Sequence, residues 1–468
     1  MFSNLRSVFL FTIFVEGFFT LSLELIAIRK SIPFVGNGTE VISVIISAVL
    51  LPLSLGYSFG GKRYASAIKK SKKTKLRHIL TMNIILIVVI SSIGFNSIFM
   101  EGFFYALRDF NELEKIAVFS SVFLSVPSFL LGQTVPLLSN YFSDENISKI
   151  TGKMLFLSTF GSFCGSLFTT IVLMRYIGVS WTLALIEVIL MSLIILLYKN
   201  KVKAMAISLS FVIVLLSSTT FANNVLKLSY ENSYNTVAVI EKEKGRYLSI
   251  NRSRSSFLGK SGESFQYVES INKMIQSAPS GAKKEILVIG AGGFTIGLKD
   301  SVNDYTFIDI DTDLKPVVET TFLKKSLGKN KHFIATEIRS YLITNSKQYD
   351  LIIVDAYTNV NAIPGSLVTK EFYELLKERV KDDGIVVSNV ISNAFMNDKY
   401  SMHIDNVIRS VFDRVRVVTV DMKKALDIFD ETIEGTNNLY ISFKQPGSTS
   451  IYTDDKNNYS FDKGQRIF

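Results

Sequence analysis

Cysteine is nearly absent: the 468 residues hold one, Cys164, so no disulfide within the chain is available. That count says nothing about compartment. Histidine is scarce as well. His78, His332 and His403 stand apart, with no H-x-x-x-H spacing and no Cys/His cluster, so no metal is expected. The second half has no basic stripe interleaved with aromatics, and nucleic acid is not expected as a partner. Acidic residues are missing from one loop in particular. Residues 61–78 carry eight Lys/Arg and no Asp or Glu.

What is present is apolar. Hydrophobic residues make up 48% of the chain and the mean hydropathy is +0.30, high for a soluble protein. The excess is local. Residues 1–222 contain seven apolar runs of helical membrane-crossing length, at 8–28, 41–60, 79–100, 116–138, 153–174, 179–198 and 204–222. They predict a seven-span α-helical transmembrane bundle with the lipid bilayer as partner. Charge divides at the same place. Residues 1–222 hold 19 Lys+Arg against 10 Asp+Glu, and the remainder holds 32 against 31. The basic balance therefore speaks of headgroups and orientation.

Within the first run, Glu16 and Glu24 lie two turns apart on one helical face, with Arg29 just beyond. Two readings stand: a polar site between helices, or carboxyls that fix helix packing. Glu187 in the sixth run is read the same way. Gly161 and Gly165 in the fifth run form a small-x-x-x-small pattern for close helix approach. Pro52, Pro127 and Pro136 interrupt spans and are expected to kink them. No paired broken helices in symmetric halves mark a transporter repeat.

Orientation is contradictory. With seven crossings, the 61–78 loop and Lys199, Lys201 and Lys203 lie on one side, which the charge rule makes cytoplasmic. The second half then falls outside, whereas a nucleotide-like ligand is a cytoplasmic compound. The side of the soluble half stays open.

That half is organised around residues 285–311. Glu285-Ile-Leu-Val-Ile-Gly290-Ala-Gly292-Gly293 is an apolar strand ending in glycines. Tyr305-Thr-Phe-Ile-Asp309-Ile-Asp311 is a second apolar run ending in carboxylates. The pattern predicts strand, tight turn, helix and strand. Glycines there let backbone approach a ligand, and an Asp at the second strand tip accepts bonds from a ribose diol. The alternative is that the glycines serve tight packing alone.

Upstream, 236–240 and 246–250 alternate around a charged turn and predict a hairpin. Residues 252–256, with Arg252 and Arg254, are read as an anion site or a solvated loop, and 263–275 as a helix. Downstream, strands are expected at 304–310, 332–336, 350–355, 384–390, 414–420 and 438–443. Helices are expected near 313–327, 337–345, 369–380 and 400–412. That alternation means a doubly wound, Rossmann-like parallel sheet. The divisions are 1–222 (bundle), 223–282 (β-hairpin part), 283–445 (α/β domain) and 446–468 (polar tail). Gly290–Gly293, Asp309, Glu337 and Asp355 all fall at strand ends.

At this point the chain resembles the spermidine synthase family, the aminopropyltransferases, over roughly 230–445. The family's Gly-Gly-Gly-Asp-Gly turn is matched by Gly290-Ala-Gly292-Gly293-Phe, its acidic residue by Asp309, and its adenine-side Asp by Glu337. Its Asp-x-x-Asp is matched by Asp355-Ala-Tyr357-Thr358. Pro364, Leu367, Phe372 and Tyr373 follow in similar phrase. The first half is similar to the multi-span domain fused to some bacterial spermidine synthase-like proteins, through Leu23-Glu24-Leu-Ile-Ala-Ile-Arg29 and Leu131-Gly132-Gln-Thr-Val-Pro136. The resemblance implies a multi-pass protein of the bacterial inner membrane, with a methyltransferase-like sheet. It also implies decarboxylated S-adenosylmethionine, or S-adenosylmethionine, as co-substrate and a small amine or polyamine as acceptor. Asp355 would be the catalytic carboxylate. Gly290, Gly292, Gly293, Asp309 and Glu337 would bind the co-substrate, and Tyr357, Thr358 and Pro364 the acceptor. Two family carboxylates are replaced, by Gly293 and Thr358, so putrescine is not assured as acceptor. A methyltransferase, a non-catalytic nucleoside or polyamine sensor, and a transporter with an accessory soluble half are the alternatives. Oligomeric state, a homo-oligomer included, is left open.

Overall fold

The computed structural model describes residues 5–67, 72–142, 147–198, 200–277, 283–357, 363–392, 398–420 and 436–445. The expected tail at 446–468 and the site candidate Thr358 lie outside the described residues.

The first half is helical: α1 (Leu5–Val35), α2 (Thr39–Ala67), α3 (Lys72–Gly94), α4 (Ser97–Ala106), α5 (Glu112–Phe123), α6 (Ser125–Gly132), α7 (Thr134–Tyr141) and α8 (Ile147–Leu167). A π-helical turn, Phe168–Leu173, leads to α9 (Met174–Ile177), then α10 (Val179–Leu197) and α11 (Lys201–Val225). Among the described residues, seven helical stretches are long and apolar enough to cross a membrane: Arg6–Val35, Thr39–Lys62, Leu76–Gly94, Glu112–Ser139, Ser148–Ile177, Val179–Leu197 and Lys201–Val225. The third run ends earlier than expected, at Gly94. Asn96 then caps α4, accepting from the Ile98 and Phe99 N–H groups.

The prolines act differently from one another. The fourth run is three helices, ending at Phe123, Gly132 and Tyr141. Pro127 and Pro136 lack the N–H groups that would bond back to Phe123 and Gly132, so the breaks fall where those bonds are missing. Pro52 leaves α2 continuous. The Ala48 carbonyl it frees accepts the Ser125 hydroxyl at 3.0 Å.

The small-residue pattern packs α8 on α1. A Cβ at Gly161 would lie 2.1 Å from the Phe14 carbonyl oxygen, and one at Gly165 2.3 Å from that of Phe18. Glu16 is buried in the same contact and accepts from Ser158 Oγ at 3.1 Å. Glu187 is fully buried and accepts from Ser91 and Ser92. Both carboxyls thus meet hydroxyls across helix contacts, as the packing reading has it. Glu24 is half-buried.

The second half begins with an antiparallel sheet of β1 (Leu228–Glu231), β2 (Thr236–Lys242), β3 (Gly245–Ile250) and β4 (Ser253–Gly259), in that order. The hairpin falls where its alternation predicts. The expectation for residues 252–256 is corrected: they enter β4 rather than a loop. Arg252 forms an ion pair with Glu101 of α4 at 2.5 Å and stacks over Phe34 of α1. Its charge is used to join the two halves.

The larger sheet has seven strands: β5 (Glu285–Ile289), β6 (Asp304–Asp309), β7 (Lys331–Ala335), β8 (Tyr349–Val354), β9 (Val380–Ser392), β10 (Arg414–Val420) and β11 (Thr436–Phe443). Their order is β10-β11-β9-β8-β5-β6-β7. β5 to β9 run parallel, and β11 inserts antiparallel between β9 and β10. The central strands are continuous apolar runs because both faces are covered. On one face lies α12 (Gln266–Ser277), with Tyr267, Val268, Ile271 and Ile275 buried at helical spacing, beside the short α13 (Leu314–Val317) and the π turn Val318–Leu323. On the other lie α14 (Ile338–Thr344), α15 (Lys370–Arg379) and α16 (Lys399–Val411). Each fully buried Ile, Val or Leu contributes roughly 1.5–3 kcal/mol.

One element is corrected. The helix expected after the glycine turn is not formed, and residues 290–303 run in successive turns. Gly290, Gly292, Phe294 and Gly297 all take positive φ, and such residues cannot propagate a right-handed helix.

Candidate functional site

Strand order reverses at β5: β6 and β7 lie to one side, β8 and β9 to the other. Ligands of open α/β sheets bind outside the carboxyl ends of strands at such a point. The turn leaving β5 sits between the ends of β6 and β8. The Gly290 N–H donates to Ile308 O at 2.9 Å, and the Asp355 N–H donates to Ile289 O at 2.8 Å. Gly290 has φ +89°, and a Cβ there would stand 2.2 Å from the Asp355 carbonyl oxygen. Only glycine fits. At Gly293, the N–H donates to Ser256 Oγ of β4 at 2.8 Å. A Cβ there would meet Ser256 and the Phe322 ring, at 2.8 and 2.5 Å. The position has no room for the carboxylate that the resembled turn carries.

Asp309 ends β6. Its Oδ2 accepts from the Ala291 N–H and its Oδ1 from the Asp311 N–H, each at 3.1 Å. Burial pushes its carboxyl up to about 6, against the pull of those two N–H groups. Asp311 is fully buried. It accepts from Tyr230 Oη at 2.6 Å, and from Asn232 Nδ2 and Asn235 Nδ2 at 2.8 Å each. These donors come from β1 and the turn after it, where sequence reasoning assigned no site residue.

Asp355 follows β8. Its Oδ2 accepts from Tyr267 Oη of α12 and its Oδ1 from Asn389 Nδ2 of β9, each at 2.9 Å. Burial raises its carboxyl above the ordinary range, and the two donors partly offset that. Tyr357 is tied to β9: its hydroxyl donates to Asn389 O at 2.9 Å and accepts from the Ile391 N–H at 2.7 Å. Sequence reasoning missed Tyr267 and Asn389. A Tyr on the buried stripe of an amphipathic helix reads as core until its hydroxyl partner is known.

The candidates therefore divide. Gly290, Gly292, Gly293, Asp309 and Asp355 share the turn at the head of β5, and Tyr357 lies two residues along from Asp355. Glu337 is exposed and caps α14, accepting from the Arg339 and Ser340 N–H groups at 3.0 and 2.8 Å. Burial would raise its carboxyl, but these cap donors outweigh it and lower it. Glu337 does follow the strand next to Asp309, whose carbonyl accepts from the Thr336 N–H at 2.8 Å. Pro364 is half-buried and opens a 3-10 turn, accepting from the Leu367 N–H at 2.8 Å. Among the described residues, no group of three or more His, Cys, Asp or Glu is arranged to hold a metal ion.

A mainly parallel sheet with two carboxylates beside a glycine turn at its reversal is a Rossmann-like α/β fold. Residues 264–438 match the spermine/spermidine synthase domain, a segment that contains β5 to β9 and every site residue named above except those of β1 to β4 and the turn after β1. A polyamine aminopropyltransferase 2 of Pseudomonas aeruginosa is 27% identical over 142 residues, 28% of this chain and 40% of that protein. A polyamine aminopropyltransferase of Saccharolobus solfataricus is 32% identical over 143 residues, 28% of this chain and 46% of that protein. The chain thus spans less than half the length of these relatives. A probable spermidine synthase from Corynebacterium glutamicum, solved by crystallography, is 19% identical with a TM-score of 0.39, covering 48% of this chain and 82% of that one. The C-terminal half of the chain carries a spermine/spermidine synthase domain.

Proposed function

We propose that the protein is a membrane-bound aminopropyltransferase, with decarboxylated S-adenosylmethionine as donor and a small amine as acceptor. The observation that carries the reading is the convergence of Asp309 and Asp355 on the Gly290–Ala291 turn. Asp309 is half-buried, and its carboxylate has lone pairs left to accept from a ribose diol. The glycine turn gives a nucleoside sulfonium close access to backbone. Asp355 orients the acceptor amine and takes its proton, and a carboxyl raised by burial is the better base. The amine lone pair attacks the propyl carbon bonded to sulfur. The C–S bond breaks with its electrons to sulfur, and a neutral thioether nucleoside leaves.

The acceptor differs from putrescine in this reading. Gly293 and Thr358 replace carboxylates that hold cationic groups in the resembled family. A neutral side chain does not supply that Coulomb attraction. The seven apolar stretches support insertion in a bilayer. The test is the full chain in lipid nanodiscs with the donor and a panel of mono-, di- and triamines, read as thioether nucleoside released. Release with at least one amine supports the reading. Nucleoside binding without release from any amine would sink it.

A second reading, a non-catalytic nucleoside or polyamine sensor, is favoured by the charge asymmetry. The contacts to the second half come from one end of the bundle, through Arg29, Glu101, Thr170 and Ser180. The described parts of the basic segments, 61–67, 72–78 and 201–203, belong to the other end. If those face the cytoplasm, the sheet lies where no donor is supplied. A reporter fused after Phe468 separates the two: activity inside supports the transferase, activity only outside supports the sensor.

A further inference from the structure

Arg29 is an arginine in the late turns of a helix read as a membrane span, and it is 5% exposed. Its Nε donates to the Asn232 carbonyl at 3.0 Å and its Nη2 to Thr236 Oγ1 at 3.3 Å. Both acceptors belong to the second half. Asn232 is 4% exposed. Its Nδ2 reaches Asp311 Oδ1 and Asp313 Oδ2 at 2.8 Å each, and its Oδ1 accepts from the Tyr234 and Asn235 N–H groups at 2.9 Å. Asp311 in turn donates its N–H to Asp309 Oδ1. An unbroken run of hydrogen bonds joins a bundle helix to the carboxylate at the tip of β6.

We infer that Arg29 is a positioning residue for the nucleoside site, holding the Asn232 turn against Asp311 so that Asp309 presents its free lone pairs to a ribose. This rests on the reading of Asp309 given above. A simple joint between the halves would not need this arrangement. Burying a guanidinium costs several kcal/mol unless its donors are met, and an apolar contact would dock the halves at less cost. Here the cation is spent on the turn that grips Asp311, and the negative charges facing it are those of Glu231 and Asp311. The second joint, Arg252 with Glu101, makes no contact with Asp309 or Asp311 and serves as the comparison.

The consequence is that the bundle completes the site. The probe is 5′-methylthioadenosine, the thioether product of the proposed reaction, compared with its 2′-deoxy analogue, titrated into the full chain in nanodiscs. Wild type should prefer the ribonucleoside. Arg29→Met should weaken ribonucleoside binding by roughly 10-fold, the loss expected for a charged hydrogen bond. It should also bring the ribo/deoxy ratio toward one. Arg29→Lys keeps the charge but not the two-directional fork, and should behave similarly while keeping the fold intact. Arg252→Met should leave affinity and ratio unchanged. An unchanged affinity in both Arg29 variants, or a loss that leaves the ratio intact, overturns the inference while the reading of Asp309 stands. Wild type that binds neither nucleoside overturns both.

Discussion

A methyl group placed on Gly290 would sit 2.2 Å from the carbonyl oxygen of Asp355. The turn that would receive the nucleoside and the strand end that would bear the base are thus in backbone contact. With φ at +89°, Gly290→Ala adds backbone strain to that overlap, a cost of roughly 1–3 kcal/mol for the strain alone. Gly290→Ala should lower the thermal unfolding temperature and weaken nucleoside binding together. Gly292→Ala, whose Cβ would meet only Ser256 Oγ at 3.1 Å, should do less of both.

Protonation of Asp309 gives a second test. A ribose diol donates to the ionised carboxylate, and this carboxyl titrates near 6. Nucleoside affinity should be level above that pH and fall about tenfold by pH 5. Stability runs the other way. The folded state holds the proton to higher pH than the unfolded chain, whose Asp titrates near ~3.9. The stabilising contribution of Asp309 is therefore full below about 4 and is lost as pH rises toward 6. Asp309→Asn should flatten both profiles, in calorimetry and in melting.

Asp355 and its two donors separate chemistry from binding. Asp355→Asn should cut transfer by roughly 10²–10⁴-fold, the range for a lost general base, with nucleoside affinity little changed. Tyr267→Phe removes a donor that holds the Asp355 carboxyl down. Transfer should then fall about tenfold, and the acid limb of the pH–rate profile should move to higher pH. A profile that stays in place would show that Tyr267 acts elsewhere.

The bundle has its own test. Gly165→Leu drives a side chain into the Phe18 backbone, where α8 and α1 touch, and should lower the melting temperature of the protein in detergent. Gly152→Leu, on the same helix where a Cβ meets nothing within 4 Å, should leave it unchanged.

Much of this was legible in residues. The apolar runs from Glu285, Tyr305 and Tyr349 read as buried parallel strands because they are short, uninterrupted and bounded by turn residues. Asp309 and Asp355 stood out as the carboxylates that end them. The missing helix after Gly290 was not legible, since Phe294 takes a positive φ that its side chain does not announce. Tyr267, Asn389, Asn232 and Tyr230 were not legible either. Each is a polar group whose partner lies 34 to 88 positions away in the chain. The tie from Arg29 spans 203 positions, and sequence spacing cannot register that distance. Arg252 misled for the same reason: its partner Glu101 is in the other half.

The most direct test is calorimetric titration of the full chain in nanodiscs with decarboxylated S-adenosylmethionine, for wild type and Asp309→Ala. Wild type should bind saturably, with affinity weakened at least tenfold in Asp309→Ala. Equal binding by the two proteins, or none by wild type, would contradict a nucleoside site at Asp309.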